Sequence, residues 1–98
     1  MNHPFYRVQW FRIEAPYMLR VGFDAGVEQL IDFQPVLMGQ WFGPLRDLTL
    51  FNQVRLDPEV RTLVWPNGAD FDPAILHDWP DQAAAMATLA KTWDFSPA

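Results

Sequence analysis

Apolar and polar residues alternate most cleanly over residues 17–23. Tyr17, Leu19, Val21 and Phe23 share one face, and Met18, Arg20 and Gly22 share the other. That period of two predicts a strand with one buried face. Residues 27–33 repeat the pattern, with Val27, Ile31 and Phe33 in phase, Gln29 the exception, and Glu28 and Asp32 pointing the opposite way. Asp24-Ala25-Gly26 lies between them, which fits a three-residue hairpin loop with Gly26 in the left-handed region. Residues 6–13 are rich in aromatic and branched side chains and read as a further strand. Its phase is mixed, because Val8 and Trp10 oppose Phe11 and Ile13; either both faces are covered or a bulge shifts the register. Pro16 then breaks the ladder, since it has no N–H to donate.

The second half of the chain changes period. Residues 34–43 carry Pro35, Gly39 and Gly43 and read as a loop with one helical turn over 36–38. Pro44 suits the first position of a helix, and Leu45, Leu48 and Phe51 recur at helical spacing, predicting a helix over 44–51. Residues 54–56 and 62–65 read as short strands around the turn Asp57-Pro58-Glu59, a second hairpin. Asn67-Gly68 is a turn signal. Asp72-Pro73 is an N-cap followed by the residue best tolerated in a first helical turn, with Ile75, Leu76 and Trp79 as the apolar face of that short helix. After Pro80, residues 81–93 form an alanine-rich helix whose stripe, Met86, Leu89, Ala90 and Trp93, should dock on the sheet. Residues 94–98 are expected to fray. The expected architecture is a single α+β domain over 1–98. It has an antiparallel sheet of about five strands, two hairpins plus an N-terminal strand, covered by short helices and the C-terminal helix.

Composition narrows the function more than it names one. The chain has 98 residues, of which half are hydrophobic, with five tryptophans and eight phenylalanines. That is enough for a packed core and excludes disorder. The net charge is −5, and the seven Lys and Arg are dispersed along the chain. Nucleic-acid binding, which needs a basic patch, is disfavoured; a basic protein partner is better suited. There is no cysteine, so disulfides, thiolate catalysis and cysteine-based zinc sites are excluded. No apolar run approaches the length of a membrane span. Met1-Asn2-His3-Pro4 lacks the basic and apolar regions of a signal peptide, so a soluble cytoplasmic protein is expected.

Four motifs in order carry a family resemblance. They are Phe23-Asp24-Ala25-Gly26; Asp32-Phe33 with Pro35 and Leu37; Phe42-x-Pro44-Leu45-x-Asp47 with Phe51; and Trp65-Pro66-Asn67-Gly68-Ala69-Asp70-Phe71-Asp72-Pro73 with Leu76. Through them residues 5–77 resemble the small prokaryotic family filed as domain of unknown function 2442, with the helical segment 79–94 as an extension. The resemblance implies a small α+β domain with antiparallel sheets. For some members it implies a neighbouring small protein in a toxin–antitoxin pair, and for others an added helix-turn-helix domain, for which this chain has no room. The family has no agreed catalytic residues to carry over. A link of some members to molybdopterin synthesis finds no Gly-rich phosphate loop here, so no cofactor is expected.

The residues that could carry chemistry each have a plainer role. Asp70, Asp72, Asp78 and Asp81 could supply hard oxygen ligands to a cation. Capping already accounts for Asp72, the helix dipole favours Asp81, and calcium-loop spacing is absent. His77 beside Asp78 could act as a general acid or base, but no nucleophile accompanies it. His3 lies in the terminal segment. Asp24, Glu28 and Asp32 read as a solvated strand face. Ser96 is the only serine. The tryptophans are harder to absorb, because five cannot obviously all be internal in so small a domain, and tryptophan is enriched at interface hot spots. Trp41, flanked by Phe42, Gly39 and Gly43, is the best candidate for exposure. The expected function is a non-enzymatic protein-interaction module, antitoxin-like in one form. It would bind through Trp41 and Phe42, with Asn67 and Asp70 of the closing turn as a second contact; self-association through an exposed strand is another form. The alternative is a metal- or small-ligand-binding protein or enzyme using Asp70, Asp72, His77 and Asp78.

Overall fold

The computed structural model of the protein describes residues 6–24 and 26–93. His3, Ala25, and the tail 94–98 with Ser96 lie outside the described residues. Strands β1 (Val8–Ala15), β2 (Met18–Phe23) and β3 (Glu28–Asp32) form an antiparallel meander in that order. The β2–β3 hairpin closes as its residues require: Phe23 N–H donates to Val27 O at 2.9 Å, and Gly26 takes φ +82°, where a side chain would be strained. The mixed phase of β1 is resolved by bulges. The register shifts between Val8 and Trp10, so Val8 pairs with Phe23 on the core side while Trp10 pairs with Gly22 on the outer side. Trp10 lies flat over Gly22, where a Cβ would fall 2.1 Å from its indole. Gln29, the polar residue in an apolar phase, sends its Nε2 to His77 O at 2.8 Å.

Tyr17 belongs to the β1–β2 turn instead of to β2. It follows Pro16 with φ +64°, a conformation that costs a non-glycine residue energy. Its docking offsets that cost. The hydroxyl donates to Arg46 O, and the ring meets Phe51 edge-on at 5.4 Å.

The expected single five-stranded sheet is not formed. β4 (Arg55–Leu56) and β5 (Leu63–Val64) pair antiparallel in a separate two-stranded sheet. They are two residues each, and among the described residues the backbone hydrogen bond that joins them to the meander runs from Val8 N–H to Arg61 O, beside β5, at 2.9 Å. The expected turn does close them, with the Asp57 carboxylate accepting from Glu59 and Val60 N–H.

The helical segments are shorter than their spacing predicts. The helical turn expected over 36–38 is replaced by a 3-10 turn, Gln34–Val36, and a one-turn helix α1 (Gly39–Phe42). The helix expected over 44–51 is broken at Asp47. A 3-10 turn, Gly43–Arg46, precedes it, and Asp47 turns extended (ψ 109°) so that its carboxylate caps Thr49 N–H at 3.0 Å, starting α2 (Leu48–Phe51). Asp72 caps α3 (Pro73–His77) as its position before proline implies, accepting from Ala74 N–H at 2.9 Å.

The last helix, α4 (Trp79–Trp93), starts earlier than expected, with Pro80 in its first turn. Its inward stripe runs through Trp79, Ala83, Met86, Ala90 and Trp93, whereas Leu89 is 49% exposed. The stripe centres on Ala90, and Leu89, about 100° away on the helix, points outward. α4 packs mainly on the Gln34–Val36 turn, α1 and α3, not broadside on the sheet. The core gathers around Phe33, whose ring meets those of Phe51, Trp65, Phe71 and Trp79 within 5.9 Å. Among the described residues no helix is long and apolar enough to cross a membrane.

Candidate interaction site

The segment after β5 makes a tight turn held at three points. Trp65 N–H donates to Ala69 O at 2.9 Å, Gly68 N–H to Trp65 O at 3.0 Å, and Ala69 N–H to Asn67 Oδ1 at 3.1 Å. Gly68 supplies the φ of +92° that the turn needs. The base of the turn is anchored in the core, where the buried Trp65 donates its indole N–H to Phe51 O at 2.9 Å. The amide nitrogen of Asn67 faces the other way and donates to Trp41 O at 2.8 Å, bracing the turn against α1.

Consecutive residues on a helix point about 100° apart, so only one of the neighbouring aromatics in α1 can face inward. Phe42 does so. Its ring packs on Phe71 at 4.6 Å and on Trp93 at 5.6 Å. Trp41 is thereby turned out and is 55% exposed. α1 comes close to α4 at Gly39, which has φ +81° and where a Cβ would lie 2.6 Å from Trp93 Cβ. Conformation and space both demand glycine there.

Trp41 stands between two shallow clefts. One, of about 420 Å³, is walled by Met38, Gly39, Gln40 and Trp93. The other, of about 270 Å³, runs from Trp41 and Phe42 to Gly68, Ala69 and Asp70. The four residues singled out in the sequence, Trp41, Phe42, Asn67 and Asp70, therefore meet on one surface although 24 residues separate Phe42 from Asn67. Their parts differ. Trp41 is the exposed ring, Phe42 its half-buried support, Asn67 a brace whose amide is spent on backbone groups, and Asp70 an exposed acid at the far edge. Trp93 and Met38 also line the surface. The spacing of Trp93 placed it on a stripe facing the sheet, and only the packing of α4 on α1 brings it here.

The acidic cluster does not assemble into a centre. Among the described residues no group of three or more His, Cys, Asp or Glu side chains could hold a metal ion. Asp72 is engaged as a helix cap, and Asp70 lies on the Trp41 side. The peptide of Asp78 ends α3 and starts α4, its N–H donating to Ala74 O and its carbonyl accepting from Asp81 and Gln82 N–H. His77 packs as an aromatic. Its ring stacks on Tyr6 at 3.7 Å and meets Phe23 edge-on at 5.1 Å, while Nδ1 lies 2.9 Å from Asp78 Oδ1. Of the hairpin acids, Asp32 Oδ1 accepts from Gln34 N–H at 3.0 Å and Glu28 lies 3.8 Å from Arg20.

No curated protein and no solved structure matches the chain significantly. Residues 10–80 match the family model described as a protein of unknown function (DUF2442), from the outer side of β1 to the first turn of α4, and the chain belongs to that family.

Proposed function

We propose that the protein is a non-enzymatic interaction module that takes a basic protein partner on its Trp41 face. One observation carries this reading: a large aromatic side chain is held out to solvent on a rigid frame. Trp41 is 55% exposed, its carbonyl is tied to Asn67, and the adjacent Phe42 is clamped between Phe71 and Trp93. A pre-ordered anchor flanked by clefts loses little freedom on binding, which is where interface hot spots gain their energy. Asp70 at the rim and the net charge of −5 favour encounter with a cationic protein over a nucleic acid. An antitoxin-like role in the cytoplasm, neutralising a small basic protein, is one form of the reading.

A panel of short basic peptides with an apolar or arginine anchor, titrated by calorimetry and followed by amide NMR shifts, tests it. Saturable binding should perturb α1 and residues 67–70. Trp41→Ala should weaken binding by about thirtyfold, the hot-spot scale of ~2 kcal/mol, and Asp70→Asn by less, with a dependence on salt. Absence of saturable binding across the panel, or binding that Trp41→Ala leaves unchanged, would refute it.

A further inference from the structure

The two edges of the three-stranded sheet are treated differently. β3 is flanked by α3, to which Gln29 donates through Nε2. β1 is the other edge, and its outer half is exposed, with Ile13 at 43% on the core-facing side and Trp10 at 36% on the outer side.

Antiparallel alternation shows which backbone groups of β1 face outward. Phe23 N–H bonds Val27 O and Phe33 N–H bonds Tyr17 O, so the odd-numbered residues of β2 exchange hydrogen bonds with β3. The even-numbered ones therefore face β1, and their partners there are Trp10 and Arg12, opposite Gly22 and Arg20. Phe11 and Ile13 accordingly turn their N–H and C=O groups away from the sheet. An edge with unpaired backbone groups templates another strand.

Natural edges are commonly blunted by charge, and β1 carries Arg12 and Glu14. Their order matters more than their presence. In an antiparallel copy related by a two-fold axis through Ile13, Ile13 meets Ile13, and each Arg12 meets the other chain's Glu14. Ile13 at the axis is a residue whose backbone groups point outward, as a hydrogen-bonded pair requires. The Arg12–Glu14 pairs then fall at non-hydrogen-bonded positions, where cross-strand side chains approach closest. A two-fold through Arg12 would instead set Arg12 against itself. The charges are already poised for sharing. Arg12 Nε lies 2.7 Å from Glu14 Oε1 in the same chain, and the Arg12 side chain is still 62% exposed. The Arg12 hydrogen bond, joined by that of Arg20, holds the Glu14 carboxyl below the usual carboxylate range, keeping it anionic. The register shift between Ile13 and Ala15 sets Ala15 opposite Met18 and turns it toward β2, so the pairing is short, one hydrogen-bonded pair at Ile13 flanked by the Arg12–Glu14 contacts.

We infer that β1 pairs with β1 of a second copy of this chain, antiparallel about Ile13, joining two three-stranded sheets through reciprocal Arg12–Glu14 contacts. The interface is closed and isologous, so it yields a dimer and not a fibre. It lies on a different surface from the Trp41 face, so either reading can fail without the other.

Sedimentation equilibrium over a concentration series tests it. The wild-type chain should dimerise. Arg12→Glu, which sets like charges opposite each other twice, should raise the dissociation constant by about tenfold or more. The double variant R12E/E14R restores opposite pairs and should return it to within about threefold of wild type. Leu89→Ser, on exposed α4, should have no effect. Amide hydrogen exchange on the unmodified chain gives a second readout, since the Ile13 amide should become protected as concentration rises. A chain that stays monomeric, a dimer indifferent to Arg12→Glu, a double variant that does not recover, or an Ile13 amide insensitive to concentration would each overturn the inference.

Discussion

Two tryptophans meet the same turn and have opposite fates. Trp65 opens the turn and is 2% exposed, its indole N–H bonded to Phe51 O and its ring packed by Phe33, Phe51 and Phe71. Trp41 is reached by the same turn through Asn67, but only its carbonyl is bound, and its ring is 55% exposed. Composition treats the two alike. Their neighbours separate them. Trp65 continues an apolar strand into the core, whereas Trp41 shares one helical turn with Phe42, which occupies the inward position. The difference shows that the aromatic richness of this chain serves two ends, cohesion at Phe33 and display at Trp41.

The sharpest test of the comparison is truncation at both places. Trp65→Ala should cost about 3–5 kcal/mol in denaturant unfolding, through lost burial, a cavity and the lost indole hydrogen bond to Phe51 O. Trp41→Ala should change stability by no more than about 0.5 kcal/mol. Equal losses would mean that Trp41 is also structural. Next in size is Gly39→Ala. A side chain there is strained at φ +81° and would strike Trp93 Cβ. We expect about 1–3 kcal/mol of destabilisation and a displaced Trp93, read from its indole NMR signal. Asn67→Ala removes the brace between the turn and α1 and should cost about 1–2 kcal/mol, for two hydrogen bonds. It should also broaden the Trp41 signals if the display is braced as described.

The smallest effect concerns acid, in the second hairpin, away from both tryptophans. The N–H groups of Val60 and Glu59 hold the Asp57 carboxyl below the usual range, with Arg55 adding attraction. A group depressed in the folded state contributes stability above its unfolded pKa and loses it as pH falls through its own lower value. Asp57→Asn should therefore flatten the acid side of the stability profile while leaving the Trp41 face unchanged in its NMR shifts. An unchanged acid limb would show that the turn does not depend on this carboxylate.

Local features were legible in proportion to how local their causes are. The β2–β3 hairpin follows from alternation and Gly26, the α3 cap from Asp72-Pro73, and the closing turn from Asn67-Gly68. Each depends on a few neighbouring residues. The bulge in β1 was legible as a conflict of phase, and the structure places it at Gln9. The helix over 44–51 misled because Leu45, Leu48 and Phe51 keep helical spacing across a break that the Asp47 cap creates. The stripe on α4 misled at Leu89 because spacing does not say which side of Ala90 meets α1. Of the candidate site, Trp41, Phe42, Asn67 and Asp70 were named in the sequence, but Trp93 and Met38 could join them only once α4 had docked.

By itself the sequence determined the alternation, turns, caps and apolar supply that make an α+β domain, and the absence of a thiol or a dense basic tract. Tertiary structure alone decided that the strands divide into two sheets, that Leu89 turns outward on α4, and that Trp93 and Met38 join the Trp41 face. The physical reason is range. Hydrogen bonds within a turn are set by adjacent residues, whereas burial of a side chain depends on every surface that competes to cover it.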